Sequence, residues 1–314
     1  MILITGGAGF IGSNIIHAFN SEGFSELLIV DALDNTIKWK NLVNKDFVDY
    51  VDKEQLFEII TKIKLEAVIH MGANANTMET DAQKIIADNY EFSKKLWFYC
   101  TKQQIKFIYA SSAAIYGDGM AGFSENIPLN QMKPLNPYAF SKLLFDRWVS
   151  KQQKTPPSWA GLRFFNVYGP GEAHKGSMAS VVFHAYQQIQ QTGVVKLFKS
   201  YRDQYKDGEQ IRDFIYVKDV VDVVLHFYNL QTFPSGFYNV GSGAPHTFNQ
   251  LVETLFSLQK LPAKINYIEM PLELRSKYQY YTVADLQKLQ QIGFNHKFHS
   301  LHEGISAYLQ HLNL

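Results

Sequence analysis

Met1-Ile2-Leu3-Ile4 is a short apolar run, and Gly6-Gly7-Ala8-Gly9-Phe10-Ile11-Gly12 follows it almost at once. The run reads as a buried strand, and the apolar spacing beyond it as a helix over Ile11–Glu22. Gly6, Gly9 and Gly12 therefore fall on the turn between a strand and a helix. Glycine lets a backbone turn tightly and approach a ligand closely, while the free N–H groups and dipole of a helix N-terminus favour negative charge. Asp31 closes the next apolar run, 19 residues after Gly12. An acidic residue at that spacing can accept from a ribose hydroxyl. Strand, turn, helix and carboxylate together predict a dinucleotide site rather than an ordinary glycine-rich loop.

The same rhythm continues outward. Apolar, β-branched and aromatic runs recur at Leu27–Val30, Ala67–His70, Phe107–Ala110 and Gly161–Phe165. Helix-period segments lie between most of them, over Lys53–Ile63, Asp81–Lys102 and Tyr138–Lys151. Alternation of this kind predicts an α/β fold with a doubly wound parallel sheet of Rossmann type. After Asn166 the pattern changes to a helix over Ser177–Gln191, a strand near Lys196–Phe198, a polar loop Ser200–Gln210 and a strand Asp213–Val217. The segment Phe237–Val240, a helix Thr247–Leu258, a strand Ile265–Ile268 and a helix Leu301–Leu312 complete the chain. This predicts a dinucleotide-binding domain over 1–166 plus about 212–243, and a smaller α/β substrate-binding lobe over 167–211 plus about 244–314.

Composition narrows the class. With 30 Lys plus Arg against 29 Asp plus Glu, the formal net charge of +1 gives no global attraction for nucleic acid or an anionic membrane. The apolar run Val217–Leu230 is broken by Lys218, Asp219, Asp222 and His226, too polar and too short to span a bilayer. Cys100 has no partner cysteine and no metal-ligand spacing, so it reads as a reduced, packed thiol, and no metal site is expected. No leader precedes the first strand; the expected location is cytoplasmic.

Tyr138 and Lys142 stand four apart in Pro137-Tyr138-Ala139-Phe140-Ser141-Lys142, so both lie on one face of a helix that Pro137 suits at its first turn. A phenol is a poor base at neutral pH, but a nearby ammonium and a bound cationic nicotinamide would favour the phenolate, which predicts a lowered Tyr138 pKa. Ser112 ends a central strand, where ligands bind in such sheets, and its hydroxyl can orient a substrate alcohol. A tyrosine and lysine four apart are usually structural. The glycine turn and the strand-end serine make the functional reading the better one here.

Together these residues resemble the extended short-chain dehydrogenase/reductase family, the NAD-dependent epimerases and dehydratases, over essentially the whole chain. Phe164-Phe165-Asn166-Val167-Tyr168-Gly169-Pro170 is widespread in that family. His174-Lys175-Gly176-Ser177-Met178-Ala179-Ser180 is similar to its ADP-L-glycero-D-manno-heptose 6-epimerase branch in particular, and Arg212-Asp213-Phe214-Ile215-Tyr216-Val217 and Lys277-Tyr278-Gln279 fit that branch as well. The resemblance implies cofactor contacts from Gly6, Gly9, Phe10, Ile11, Gly12, Asp31, Ala32, Lys38 and Lys53, and from the Met71-Gly72-Ala73-Asn74-Ala75 turn. It adds Asp88, Asn89, Lys142, Val167 and Lys175 to that set. Ala32 stands where a polar residue is usual, and Asp88 where asparagine is. Asp31 by itself favours NAD by repelling a 2′-phosphate, and Lys38 and Lys53 could offset that repulsion, so residue chemistry leaves the choice open. The resemblance implies NADP, with NAD as the alternative. Asn166, Ser177, His184, Phe198, Lys199, Ser200, Tyr201, Arg212 and Tyr278 would line the pocket for an ADP-heptose, where a basic residue suits the diphosphate.

Carbon 6 of such a heptose has no acidic proton, so inversion calls for transient oxidation to a 6-keto sugar and return of the same hydride. Two acid/base groups then serve the two orientations of the hydroxyl, and the resemblance assigns Tyr138 and Lys175 to them, with Ser112 and Lys142 assisting. A nucleotide-sugar 4-epimerase or 4,6-dehydratase shares the fold. A dehydratase, however, usually carries an acidic pair where this chain has Ala113-Ala114 after Ser112. The reading from another class is a non-catalytic NADP-sensing protein, against which the intact Ser112, Tyr138 and Lys142 argue. Family likeness also implies homo-oligomers, with a pentamer as the expected form.

Overall fold

The computed structural model describes residues 1–77, 79, 81–275 and 278–312. Strands β1 (Ile2–Thr5), β2 (Leu27–Asp31), β3 (Asp49–Asp52), β4 (Ala67–His70), β5 (Lys106–Ser112) and β6 (Trp159–Phe164) are followed by β7 (Asn166–Tyr168), β8 (Val195–Phe198) and β9 (Ile211–Tyr216). Then come β10 (Gly236–Val240), β11 (Pro245–Thr247) and β12 (Ile265–Ile268). Seven of them form one sheet in the order β10-β6-β5-β4-β1-β2-β3, and every pairing in it is parallel. β1 and β4 are buried along their whole length because helices cover both faces, which is why they read as unbroken apolar runs. The direction of winding reverses between β1 and β4, and the crevice at their carboxyl ends is where an open α/β sheet takes its ligand.

One face is covered by the helices Phe10–Ser21 and Val217–Asn229 through Ile15, Ile16, Phe19, Val220, Val223, Val224 and Phe227. The opposite face takes Leu96, Trp97, Cys100, Phe145 and Val149 from the helices Phe92–Gln103 and Pro137–Val149. Cys100 is a free, buried thiol, as its isolation in the sequence implies. The two small sheets, β11-β9-β7 and β12-β8, pack with the helices Val181–Thr192, Phe248–Leu258 and Leu301–Leu312 around a separate apolar cluster. Among the described residues no helix is long and apolar enough to cross a membrane.

Several local expectations need correction. The segment Lys53–Ile63 is helical only over Leu56–Ile59 with a tight turn Ile60–Lys62; its first residues form a turn directly after β3, where the Lys53 N–H donates to the Asp31 carbonyl. The helix expected from Ser177 begins at Val181, because Gly176 at φ 54° breaks the preceding turn and Ser180 caps the Phe183 N–H. The long helix near Asp81–Lys102 exists, but with a π-helical turn, Ala87–Glu91, set into it. β3, β7 and β11 were not anticipated. The last two have three residues each, too few for a period to register.

A charged pair lies inside the main sheet layer. Asp146 and Arg163 are both fully buried; Asp146 accepts from Tyr109 and Ser111 at 3.0 Å and faces Arg163 at 3.4 Å, while Arg163 donates to Tyr116 at 2.9 Å. Removing one partner strands the other charge. Asp146→Ala is expected to cost about 3–5 kcal/mol in urea unfolding; a loss below about 1 kcal/mol would show that solvent reaches Arg163.

Candidate active site

The glycine turn closes on itself and on β4. A Cβ built on Gly12 would sit 2.1 Å from the Gly6 carbonyl oxygen, and one on Gly6, at φ 67°, would sit 2.6 Å from the Gly72 nitrogen. Real Cβ contacts are not that short, so both positions require glycine. The N-cap of the helix that follows, Gly9, offers no side-chain bond to the first-turn N–H groups. These donors and the dipole remain directed at the crevice, which fits a dinucleotide pyrophosphate.

Asp31 ends β2 beside that turn. Its carboxylate accepts from the Ala8 N–H at 2.9 Å, the Ala32 N–H at 2.8 Å and the Lys38 ammonium at 3.1 Å. Lys38 thus covers Asp31 rather than standing in solvent. Lys53 pairs with Asp88 at 2.7 Å, so the aspartate found where asparagine is usual has a cation against it. Asn41, which sequence reasoning did not single out, donates to the carbonyls of Ala8 and Gly171 at 3.0 Å each and ties the turn to the loop that carries Lys175.

The Met71–Ala75 turn is held by a buried polar chain. The Gly72 N–H donates to Thr5 Oγ1 at 3.0 Å, and Thr5 Oγ1 lies 2.6 Å from His70 Nδ1. His70 Nε2 lies 2.8 Å from Ser93 Oγ, which donates to the Asn89 carbonyl at 2.6 Å. Ser93 spends its proton on Asn89 and so must accept from His70; the imidazole therefore carries its proton on Nε2 and accepts from Thr5 at Nδ1. Burial, followed by the Lys142 charge, pushes His70 down to about 3. Asn89, in the π-helical turn, accepts from the Asn74 N–H at 2.7 Å and donates to the Asn74 carbonyl and Ser141 Oγ at 3.0 Å each. π-Turns inside helices recur at functional sites, and this one aims a buried side chain at the ligand turn.

Ser141 belongs to the helix Pro137–Val149, whose N-terminus Asn136 caps at the Ala139 N–H. Tyr138 and Lys142 project from one face of it, and the Tyr138 hydroxyl faces Ser112 at the end of β5. Lys142 is buried and donates to the Ala110 carbonyl at 2.8 Å. Burial pushes it down to about 8, against the pull of Asp146. The expected lowering of the Tyr138 phenol is not found in the protein alone: burial raises it, and Ser112 only opposes that rise.

Lys175 lies in the tight turn Ala173–Met178 with its ammonium 5.4 Å from the centroid of Phe10, at the start of the glycine-turn helix. It is turned inward, not outward as a loop lysine usually is. Burial pushes its pKa down, with Glu172 opposing. Val167 is half-buried in β7, and Ser177 is exposed. Asn166 donates to the Asp213 carbonyl at 3.2 Å, and His184 is half-buried in the helix Val181–Thr192.

Arg212, 7% exposed, lies 5.1 Å over Tyr278 and 5.4 Å over Phe248 and donates to the carbonyls of Ile211 and Gln279. Among the described residues no carboxylate pairs with it. Phe198 meets Tyr278 edge-on at 6.4 Å. Lys199 and Tyr201 instead hold Glu269, and the Ser200 N–H donates to the Asp207 carboxylate at 2.7 Å, so these three form a strap beside the pocket. Lys277 lies outside the described residues. Thr5, Asn41, His70, Ser93, Ser141 and Glu172 escaped sequence reasoning because each acts through a long-range partner that no local spacing marks.

The family model described as NAD dependent epimerase/dehydratase family matches residues 2–241. A Fusobacterium nucleatum protein named ADP-L-glycero-D-manno-heptose-6-epimerase is 45% identical, over 99% of this chain and 97% of its own. The crystal structure of the enzyme of that name from Helicobacter pylori is 29% identical with a TM-score of 0.85, covering 99% of this chain and 96% of that one. A UDP-glucose 4-epimerase of Thermus thermophilus in complex with NAD is 25% identical with a TM-score of 0.79, covering 99% and 98%.

Gly12→Ala should abolish dinucleotide binding in a fluorescence titration and lower the Tm; binding within about twofold of the parent would show that the turn relaxes around the added methyl. His70 sets a pH dependence. The unfolded chain takes up its proton near pH 6.5, the folded one only near 3. The stability tied to neutral His70 is therefore complete above pH 6.5 and falls as pH drops towards 3, by about 1.4 kcal/mol per unit. His70→Gln is expected to flatten that slope in urea unfolding between pH 6.5 and 4.5. An unchanged slope would mean that the imidazole is not held neutral.

Proposed function

The chain belongs to the NAD dependent epimerase/dehydratase family, and from that premise we propose that it inverts carbon 6 of ADP-glycero-manno-heptose, interconverting the D-glycero and L-glycero forms for the lipopolysaccharide inner core. The observation that carries a nucleotide-sugar substrate is Arg212. A guanidinium that is buried, flanked by Tyr278 and Phe248 and unpaired with any described carboxylate is poised for an anionic group, and a diphosphate matches its planar fork. The relatives named for this epimerase supply the sugar.

The nicotinamide, when bound, provides reversible hydride acceptance; the chain supplies position and protons. Gly6 to Gly12 and Gly72 form the cradle that admits its phosphates. Tyr138, facing Ser112, removes the proton of the 6-hydroxyl, while Ser112 orients that oxygen. Lys142, anchored on Ala110, keeps a cation beside the phenol. Lys175 serves as the acid/base group for the opposite orientation of carbon 6. The turn after Ser112, Ala113–Tyr116, carries no carboxylate for eliminating water, which disfavours a dehydratase.

NADP is the cofactor of this reading. Lys38 lies on Asp31 and offsets the repulsion that its carboxylate would exert on a 2′-phosphate. Dinucleotide binding is assigned to residues 1–166 with 212–243, and substrate binding to the remainder. A cytoplasmic location and homo-oligomeric assembly belong to the same reading.

Proton NMR of the protein with ADP-D-glycero-D-manno-heptose is expected to show the L-glycero epimer without added cofactor, or once NADP is supplied. Failure with both NADP and NAD would remove the heptose assignment. Tyr138→Phe and Lys175→Met should each lower kcat by about 100-fold or more while the dinucleotide stays bound; near-parental turnover would remove that residue from the chemistry. Lys38→Ala is expected to shift the NADP-over-NAD affinity ratio towards NAD by about tenfold, and an unchanged ratio would assign NADP selection elsewhere.

A further inference from the structure

Glu172 is completely buried, yet it carries a carboxylate and plays no part in the reaction outlined above. Its Oε1 accepts from the Gly169 N–H at 3.1 Å and from Ser180 Oγ at 2.7 Å, and its Oε2 accepts from the Ser180 N–H at 2.5 Å. The Tyr308 hydroxyl, from the helix Leu301–Leu312, faces the same carboxylate, and burial together with that charge pushes the phenol up. Gly169 and Ser180 stand at the two ends of the segment 169–180, so one side chain closes that segment into a ring. Lys175 lies within the ring, and its N–H donates to the Glu172 carbonyl at 2.9 Å.

The terminal helix is held against the same place by shape. A Cβ built on Gly304 would lie 2.1 Å from the Tyr168 hydroxyl, and the Tyr168 and Tyr308 rings are 6.5 Å apart. The backbone of the helix therefore abuts β7, immediately before the ring begins.

We propose that Glu172 is a positioning residue for Lys175: its carboxylate clasps the 169–180 segment, binds it to the C-terminal helix through Tyr308, and holds the Lys175 ammonium over Phe10 at the mouth of the glycine turn. A buried carboxylate with three donors fixes backbone more firmly than an amide could, because glutamine must turn an N–H₂ towards one of those donors. It also places a negative charge near an inward-facing lysine, which favours the protonated form of Lys175. The proposal concerns the placement of Lys175, and it rests on the proposed role of Lys175 only for its effect on turnover.

The test is Glu172→Gln in the full-length protein, read in two ways. The first is the titration of the Lys175 ε-carbon by NMR of ¹³C-lysine-labelled protein, assigned by the signal missing from Lys175→Met. It is expected to move to lower pH by about one unit in Glu172→Gln. The second is turnover: kcat should fall by about 30-fold with KM for the sugar nucleotide within about threefold, and the pH limb due to Lys175 should move in step with the NMR titration. Tyr308→Phe removes the hydroxyl that faces Glu172, leaves the clasp, and should show the same changes at smaller size, which keeps the proposal testable where Glu172→Gln does not fold. An unmoved Lys175 titration in Glu172→Gln, or in Tyr308→Phe as well where only that variant folds, would overturn it whatever the turnover. A shifted titration together with normal turnover in Lys175→Met would uphold the clasp and overturn the catalytic reading of Lys175 instead.

Discussion

Everything at the site follows from one close approach, that of Gly12 to the carbonyl of Gly6. With no room for a Cβ between them, the helix Phe10–Ser21 starts directly against the carboxyl end of β1. Its first-turn N–H groups consequently point into the crevice between β1 and β4, where the winding of the sheet reverses. Gly6 then meets Gly72, so the first strand-to-helix turn and the β4 turn share one wall. A larger residue at either position would separate two backbones that must touch for the crevice to hold a diphosphate.

Around that contact the protein replaces solvent with a chain of polar groups instead of apolar packing. Thr5, His70, Ser93 and Asn89 run from β1 to the π-helical turn, and Asn89 passes the connection to Ser141, next to Lys142. Buried donors and acceptors of this kind are costly unless each is matched, and each match fixes a direction. The gain is orientation: the ligand turn, the Tyr138 helix and the end of β5 are held in one frame before anything binds. Burial also weakens the protonated state of Lys142 and the ionised state of Tyr138, and their neighbours Asp146 and Ser112 act in the opposite sense. The pair is thus less polarised in the protein alone than residue chemistry with a bound cation suggests.

The sheet, the glycine turn and the Tyr138–Lys142 face were all legible in the chain, because each is written within about twenty residues and has a period or a spacing. Short elements such as β7 and β11 were not, since three residues cannot show a period. The break between Lys175 and the helix that follows was missed because Gly176 and the Ser180 cap outweigh an otherwise helical pattern. Hidden as well were residues whose meaning lies in a distant partner: Asn41 reaching Gly171, Asp88 meeting Lys53, Glu172 meeting Tyr308. Lys38 illustrates the limit. Its spacing left open whether it met Asp31 at all, and only the fold laid it on that carboxylate.

Arg163 and Arg212 show how a fold divides one residue type between two tasks. Both are buried, and both are stacked on aromatic rings. Arg163 faces Asp146, whose other oxygen bonds occupy Tyr109 and Ser111, so its charge is matched within the protein and serves the sheet. Arg212 has carbonyls and rings but no carboxylate among the described residues, and in the proposed reading its charge is matched when an anion arrives. A buried cation without a counter-ion is costly in the free protein, and binding of the proposed diphosphate would recover that cost. The difference between a structural and a ligand-binding arginine therefore lies in which partner the fold withholds.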